Sequence, residues 1–433
     1  MKKLVVVSAD ALVYEDLETL KDTPVIGHMM REGAMVKRLR SVYPTLTYPN
    51  HTTMRTGNYV DRHGVVNNIQ YTAGVKNPDW NFKNHIVKCR DIFDAAKEAG
   101  LSTAAVGWPV TGNHKNIDYL LDEVWPYGKE KQEDKQAFLD AMMDTGTPDW
   151  LLESCVVQHI DLRVPRRMPE SSWFNTYVLC DIIRAYSPDL SMLHTGNIDG
   201  ARHVYGVFND SVTKNVLMLE DFMREIVSAV TATGSLYETD FVITADHGQI
   251  DTDRRVSPNV LLRNAGLIET DPDGGVTSWK AWSFESGTSA QVVINSALSD
   301  DEKAQVKDKV FKLFKDKKEE GDCGFEDIYT KEYTEEEEHL FGDFDFVLET
   351  DGHTYFDNAW EGEYMNETGH VGGKHGHHPD KGPWTTFIGF GPSFRKGAVI
   401  DAAPITDTAP TYAAILGLDL PDTDGHALMG ILK

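Results

Sequence analysis

Cysteine is scarce in this chain. Its 433 residues hold four, Cys89, Cys155, Cys180 and Cys323. None forms a C-x-x-C pair, and they lie too far apart for a disulfide framework, so free thiols in a reducing compartment are expected. Long apolar runs are missing too. No stretch of about 18 apolar residues occurs, so no membrane-spanning helix is expected. Met-Lys-Lys followed by Leu4–Val7 begins like a secretory signal. Ser8 and Asp10 interrupt it at once, which fits a buried first strand and a cytoplasmic location. Basic residues are outnumbered by acidic ones, 42 to 68, for a formal net charge of -26. Such a surface repels nucleic-acid backbones and anionic membranes, so neither is expected as a partner. A small anionic substrate remains open, because bound cations can reverse the local potential. There is no glycine-rich nucleotide loop, internal repeat or long low-complexity segment.

What is present suits a soluble enzyme, with 41% hydrophobic and 25% charged residues. The length allows one large domain with insertions, or two to three smaller units, with a core that needs no staples. Short apolar runs at Lys3–Ala9, Leu101–Trp108, Leu190–Ile198, Asp240–Ala245 and Thr386–Phe390 read as buried parallel strands. Between them, Asp91–Ala99 and Val212–Thr231 carry a helical apolar period, and a last helix is expected over Asp407–Leu416 with an Asp-Thr cap. Alternation of this kind predicts an α/β fold covered on both faces. Composition shifts between residues 251 and 350. There Asp300–Glu320 is a charged amphipathic stretch, and Ala290–Ile294 and Phe344–Glu349 alternate like strands. Residues 251–350 are expected as a smaller inserted α+β subdomain on a core of residues 1–250 and 351–433. The acidic run Glu335–Glu338 reads as a solvated face.

Three strands are expected to end at aspartates: Asp10, Asp199 and Asp246. Ligand crevices of open α/β sheets lie at those carboxyl ends. Asp199 belongs to a D-x-x-x-H pattern with His203, which puts both on one face of a helical turn. Asp246 precedes His247, and Gly248 permits a sharp turn there. A third cluster is His375-Gly-His377-His378-Pro379. Carboxylates with imidazoles suit zinc. A lone Asp at such a place commonly caps a loop; three, with histidines attached, point to a metal site. Thr47 in Pro44-Thr-Leu-Thr47-Tyr48-Pro49-Asn50-His51 is the candidate nucleophile. A helix over His51–Arg55 would offer its N-terminal amides and dipole to a phosphate. Metal coordination would acidify the Thr47 hydroxyl. Taken alone, Thr47 reads as a helix cap.

With these segments the chain resembles the type I phosphodiesterase/nucleotide pyrophosphatase family of the alkaline phosphatase superfamily. The matching stretches are V-V-V-S-A-D, P-T-L-T-Y-P-N-H-T-T-M-R-T-G, R-H-G-V-V-N-N, G-W-P-V-T-G, D-G-A-R-H-V-Y-G, T-A-D-H-G-Q and K-H-G-H-H-P. They occur in the family's order, and I-T-D-T-A-P-T-Y-A-A-I-L-G-L matches its last helix. The resemblance implies an alkaline-phosphatase-like three-layer α/β/α sandwich. It implies two divalent ions, zinc by preference: one on Asp199, His203 and His375, the other on Asp10, Asp246, His247 and the Thr47 oxygen. Asn68 is implied to bind a nonbridging phosphate oxygen together with the Thr47 amide. Tyr48 is implied to pack against a nucleobase or other leaving group, and Trp108 to sit in a loop near the substrate. Ile198, Arg202 and the Gly-His-His-Pro after His375 depart from the pattern, and Arg202 could bring positive charge close to the site.

The implied activity is hydrolysis of phosphate diesters or nucleotide pyrophosphate bonds through a phospho-threonine. A phosphomonoesterase or phosphonate hydrolase would use the same site, and a metal-binding homologue without turnover is the reading from another class. A sulfatase lacks support, because no C/S-x-P-x-R motif surrounds Thr47. A cofactor-independent sugar-phosphate mutase would carry Ser there.

Overall fold

The apolar run at the start of the chain does form a buried strand. The computed structural model describes residues 2–128, 130–164 and 166–433. Strands β1 (Lys3–Ala9), β2 (Ala34–Arg40), β3 (Thr103–Val106), β4 (Tyr119–Leu121), β5 (Leu190–Thr195) and β6 (Thr239–Thr244) join Thr385–Phe390 and Val399–Pro404 in one eight-stranded sheet. Its order is Val399–Pro404, β2, Thr385–Phe390, β6, β1, β5, β3, β4. β1 lies inside the sheet, parallel to β5 and β6.

Alternation along β1 builds a core on each face. Val5 and Val7 enter one core with the helices Glu170–Tyr186 and Asp210–Ala232. Leu4 and Val6 enter the other with Ile92–Glu98 and Thr408–Leu416. The result is a three-layer α/β/α sandwich, as expected.

The structure corrects several expectations. Thr385–Phe390 runs antiparallel to both neighbours, β6 and β2. A run buried on both faces looks the same in either direction, so composition could not fix its sense. β5 stops at Thr195, and a helix over Asn197–Tyr205 takes up Asp199 in its first turn. The Asp407 carboxylate does not cap the last helix; it accepts from the His426 amide at 2.8 Å. β2, β4 and Val399–Pro404 were not among the expected strands. β2 and Val399–Pro404 are only partly buried, and β4 is three residues long.

Within residues 251–350 an antiparallel sheet has the order Ala281–Ser286, Ser289–Ile294, Phe346–Thr350, Phe325–Thr330. The helix Asp300–Glu320 starts at a capping box of Ser299 with Glu302 and buries Val306, Val310 and Phe314 in the same cluster. The acidic run is only partly a solvated face. Glu335 to Glu337 are exposed, but Glu338 is buried, 3.2 Å from Arg40 and 2.8 Å from His378. Ile250–Val256 pairs with Met365–Lys374, the strand that delivers His375.

Candidate active site

The donors reach the carboxyl end of the sheet on several separate elements. Asp10 directly follows β1, and its amide donates to the Thr195 carbonyl at 2.9 Å. Asp246 and His247 lie just beyond β6. Gly248 is needed there for space, not for a left-handed turn. The Pro383 carbonyl occupies the position a Cβ would take.

The helix Asn197–Tyr205 turns Asp199 and His203 to one side, with His203 Nε2 3.2 Å from Asp199 Oδ1. His375 Nε2 comes within 3.6 Å of the same oxygen. The Gly373 carbonyl accepts from His203 Nδ1 at 2.7 Å, and the Thr45 carbonyl from His375 Nδ1 at 3.1 Å. A carbonyl can only accept, so both Nε2 atoms keep a lone pair for a metal. Beside this group, His247 Nε2 lies 3.5 Å from Asp10 Oδ1 and 3.2 Å from Asp246 Oδ2. The His247 and His375 rings stack at 3.9 Å and join the two groups.

The charge balance is unusual. Burial, with the charges of Asp246 and Asp199, pushes the Asp10 carboxyl well above its ordinary value. Burial acts the same way on Asp199 and Asp246, yet neighbouring imidazoles hold both below the usual carboxylate range. Burial also keeps His375 and His247 below the usual imidazole value. Buried Asp10 Oδ1 and Asp246 Oδ2 have no hydrogen-bond partner. Neutral imidazoles and orphaned carboxylate oxygens form a donor set that divalent cations fit.

Thr47 opens the helix Thr47–Thr56, whose ten residues are all buried. The helix begins four residues earlier than expected, and Leu46 holds the cap position. The Thr47 hydroxyl is therefore free of capping and lies 3.1 Å from His247 Nε2. Asn50 pins this turn by accepting from the Val42 amide and donating to the Leu46 carbonyl. At the helix start, the Leu46 amide donates to Pro44 O and the Asn50 amide to Leu46 O. Pro49 has no N–H, and the Tyr48 amide donates to Asn68 Oδ1 at 2.8 Å. The Thr47 amide is the remaining first-turn donor. Fixing Oδ1 also fixes the amide plane of Asn68 and so places its Nδ2.

The type I phosphodiesterase/nucleotide pyrophosphatase model matches residues 4–378. The chain belongs to that family. Member 7 of the human ectonucleotide pyrophosphatase/phosphodiesterases is 24% identical over 295 residues, which are 63% of this chain and 55% of that protein. Venom phosphodiesterase of Naja atra is 23% identical over 258 residues, 57% of this chain and 26% of the relative. Human family member 1 is 30% identical over 113 residues, 11% of its length. The chain thus matches about half, or much less, of these curated relatives. Murine ectonucleotide pyrophosphatase/phosphodiesterase 5, solved as an inactive variant with AMP, superposes with a TM-score of 0.71 at 17% identity over 100% of both chains. That likeness shows the alkaline-phosphatase-like fold.

Not every position that the phosphodiesterase family pattern singles out faces the site. Tyr48 is 0% exposed and packs edge-on against Trp80 at 5.2 Å, so its ring has no free face. Trp108 is also 0% exposed; it packs on His51 at 4.9 Å, and its Nε1 donates to the His51 carbonyl at 3.3 Å. Both matched the pattern in sequence, but they support the site from beneath. Arg202 is buried 2.5 Å from Asp16, with Phe208 packed on its guanidinium, so its charge is spent. His377 and His378 hold the loop: the His377 carbonyl accepts from Thr45 Oγ1 at 2.9 Å, and His378 pairs with Glu338. His353 and His370 are exposed.

Beside Asn68 opens a cavity of about 750 Å³ lined by Tyr71, Trp80, Phe82, Trp125, Tyr127 and Phe341 among others. None of the metal-type donors lines it; Asn81 of its wall donates its amide to the Asn68 carbonyl at 2.9 Å. Motif reading missed this aromatic wall, although Trp80 and Phe82 stand in W-N-F shortly after Asn68. It also missed the buried imidazoles His51 and His194, which contact Asp246 and Asp10.

Proposed function

We propose that this family member hydrolyses phosphodiester or nucleotide pyrophosphate bonds through a phospho-threonine on Thr47, with two divalent cations, zinc by the chemistry of the donors. The observation that carries the reading is the Thr47 hydroxyl, 3.1 Å from His247 Nε2 at the start of a buried helix. Asp10, Asp246, His247 and Thr47 Oγ1 would hold one cation, and Asp199, His203 and His375 the other. When bound, such a pair acidifies the hydroxyl and neutralises charge on the phosphate. Thr47 Oγ1 attacks phosphorus in line with the leaving oxygen, and water cleaves the resulting ester in the second step. The Thr47 amide and Asn68 Nδ2 meet charge on the equatorial oxygens.

Arg202 bears on the choice between diester and monoester. It was the cation that could have favoured a dianionic monoester, and it is paired with Asp16. Neutral donors suit a monoanionic diester. The aromatic cavity, not Tyr48, accommodates the organic group of the ester, with residues 251–350 as an inserted unit contributing Phe341 to its wall. The substrate is a small anionic phosphate ester or nucleotide. Four cysteines without a disulfide support a reducing, cytoplasmic setting, and no helix among the described residues is long and apolar enough to cross a membrane.

The test compares zinc-loaded enzyme on a nitrophenyl nucleotide diester and on nitrophenyl phosphate. The diester is expected to turn over faster by at least an order of magnitude. Equal or faster monoester turnover refutes the preference, and absence of a phosphorylated Thr47 on rapid quench refutes the covalent route.

A further inference from the structure

We propose that Gln291 is a positioning residue that sets where Asn68 meets the phosphate. The inference rests on the reading above, in which Asn68 Nδ2 faces an equatorial oxygen. Residues 64–68 belong to no helix or strand, so other elements must hold Asn68 in place.

Gln291 stands on the strand Ser289–Ile294 and is 0% exposed. Its Nε2 donates to the Val66 carbonyl at 3.0 Å. A carbonyl can only accept, so this bond fixes which end of the amide is which. Oε1 then accepts from Asn67 Nδ2 at 2.9 Å and from the Tyr71 hydroxyl. Asn67 Nδ2 also donates to the Glu285 carbonyl at 3.0 Å, and Asn67 Oδ1 accepts from the Ile69 amide at 3.2 Å. One buried amide thus grips the chain before Asn68, at its neighbour and beyond it.

The same strand is tied to the other side of the site. Ser289 Oγ donates to the Gly376 carbonyl at 2.7 Å, and the Thr288 amide donates to the His375 carbonyl at 2.9 Å. Ser289 and Gln291 are two positions apart in a strand, so they share a face at a spacing of about 7 Å. The strand therefore spaces the Asn68 segment from the His375 loop. The Tyr48 amide fixes the plane of the Asn68 side chain, and Gln291 fixes the backbone that carries it. Gln291 itself pairs with Phe284 and Val347 through the sheet, so a change of its side chain leaves the strand in register.

The experiment compares Gln291→Met, Asn68→Asp and the double variant on a nitrophenyl nucleotide diester, with folding checked by circular dichroism. Met keeps the length and removes the amide. Gln291→Met is expected to lose about 10–100-fold in kcat, bounded by the loss of the donor itself. In the Asn68→Asp background the same substitution should change kcat by less than about threefold, because no donor is left to place. A second readout needs neither metal nor substrate: in protein labelled with 15N-tyrosine, the Tyr48 amide resonance is expected to move in Gln291→Met. Gln291→Glu keeps both acceptor contacts and sets an oxygen against the Val66 carbonyl; it gives the same comparison if the Met variant does not fold. The proposal is overturned by a folded variant with wild-type kcat, by losses that multiply in the double variant, or by an unmoved Tyr48 amide. An Asn68→Asp variant with wild-type kcat overturns the reading of Asn68 itself.

Discussion

Replacing Asn68 by aspartate separates two roles that alanine would merge. Asn68 Oδ1 accepts the Tyr48 amide at 2.8 Å inside the protein, and Tyr48 is 0% exposed. Alanine leaves that amide unsatisfied, which costs about 1–3 kcal/mol of stability. Alanine also removes Nδ2, the side-chain donor that the proposed mechanism gives to the phosphate. Loss of one such donor costs roughly 10²–10³ in kcat, or about 2.7–4 kcal/mol. Aspartate keeps an acceptor for Tyr48 and removes the donor. Asn68→Asp is thus expected to unfold in denaturant near the wild-type midpoint, yet lose at least about 10² in kcat on a nitrophenyl diester. Asn68→Ala should lose both. Denaturant titration by circular dichroism and steady-state kinetics on the same preparations give the comparison. An Asp variant within threefold of wild-type kcat removes Asn68 from the chemistry. An Ala variant of full stability shows that the Tyr48 amide finds another partner.

Other outcomes follow from the same geometry. Thr47→Ala is expected to abolish turnover while zinc content, measured by plasma mass spectrometry, stays at the wild-type value; substantial residual turnover would end the covalent scheme. Arg202→Ala leaves Asp16 buried and unpaired, so about 3–5 kcal/mol of stability should be lost while the diester-to-monoester rate ratio stays constant. A change in that ratio would mean that Arg202 senses substrate. Trp80→Ala should raise KM for esters with aryl or nucleoside groups and leave methyl esters unaffected, whereas Tyr48→Phe should change neither. Stability should also depend on pH through His63, which burial and Arg55 hold down at about 3. Its folded value lies below the unfolded one, so the unfolded chain takes the proton first and stability falls as pH drops from about 6.5 toward 3. Between pH 6.5 and 4.5 the loss from this group is about 2–3 kcal/mol, and His63→Gln should flatten that part of a denaturation-versus-pH curve.

Much of this architecture was legible because buried strands announce themselves. The Leu4–Val7 run needs no partner to be recognised, and Asp199 and His203 keep their spacing on any helix. Thr47 could be placed near a helix start from Pro49 alone. What was not legible depends on partners. The direction of Thr385–Phe390 is set by β2 and β6, which its own residues do not encode. Tyr48 and Trp108 occupy motif positions beside site residues, and only packing against Trp80 and His51 reveals that they lie below the surface. Arg202 is a cation in sequence and half of a buried ion pair in space. His194 sits in a strand with no motif around it, and its place beside Asp10 comes from the parallel pairing of β5 with β1. The aromatic cavity draws on residues 64–88, 124–127, 141–145 and 341–343, which no local window contains.

The wholly buried helix Thr47–Thr56 also carries a dynamic consequence. Its side chains are tied inward: Thr52 and Thr56 donate to carbonyls one turn earlier, Thr53 meets His63 at 3.0 Å, and Arg55 donates to the Val110 carbonyl. An element so enclosed has no cheap local opening, and its amides exchange with solvent only when the whole molecule opens. In the proposed mechanism, Thr47 therefore meets its substrate without a movement of its own helix. On heating, catalysis and the last protected amides of this segment are expected to vanish together, at the global melting transition and not before it.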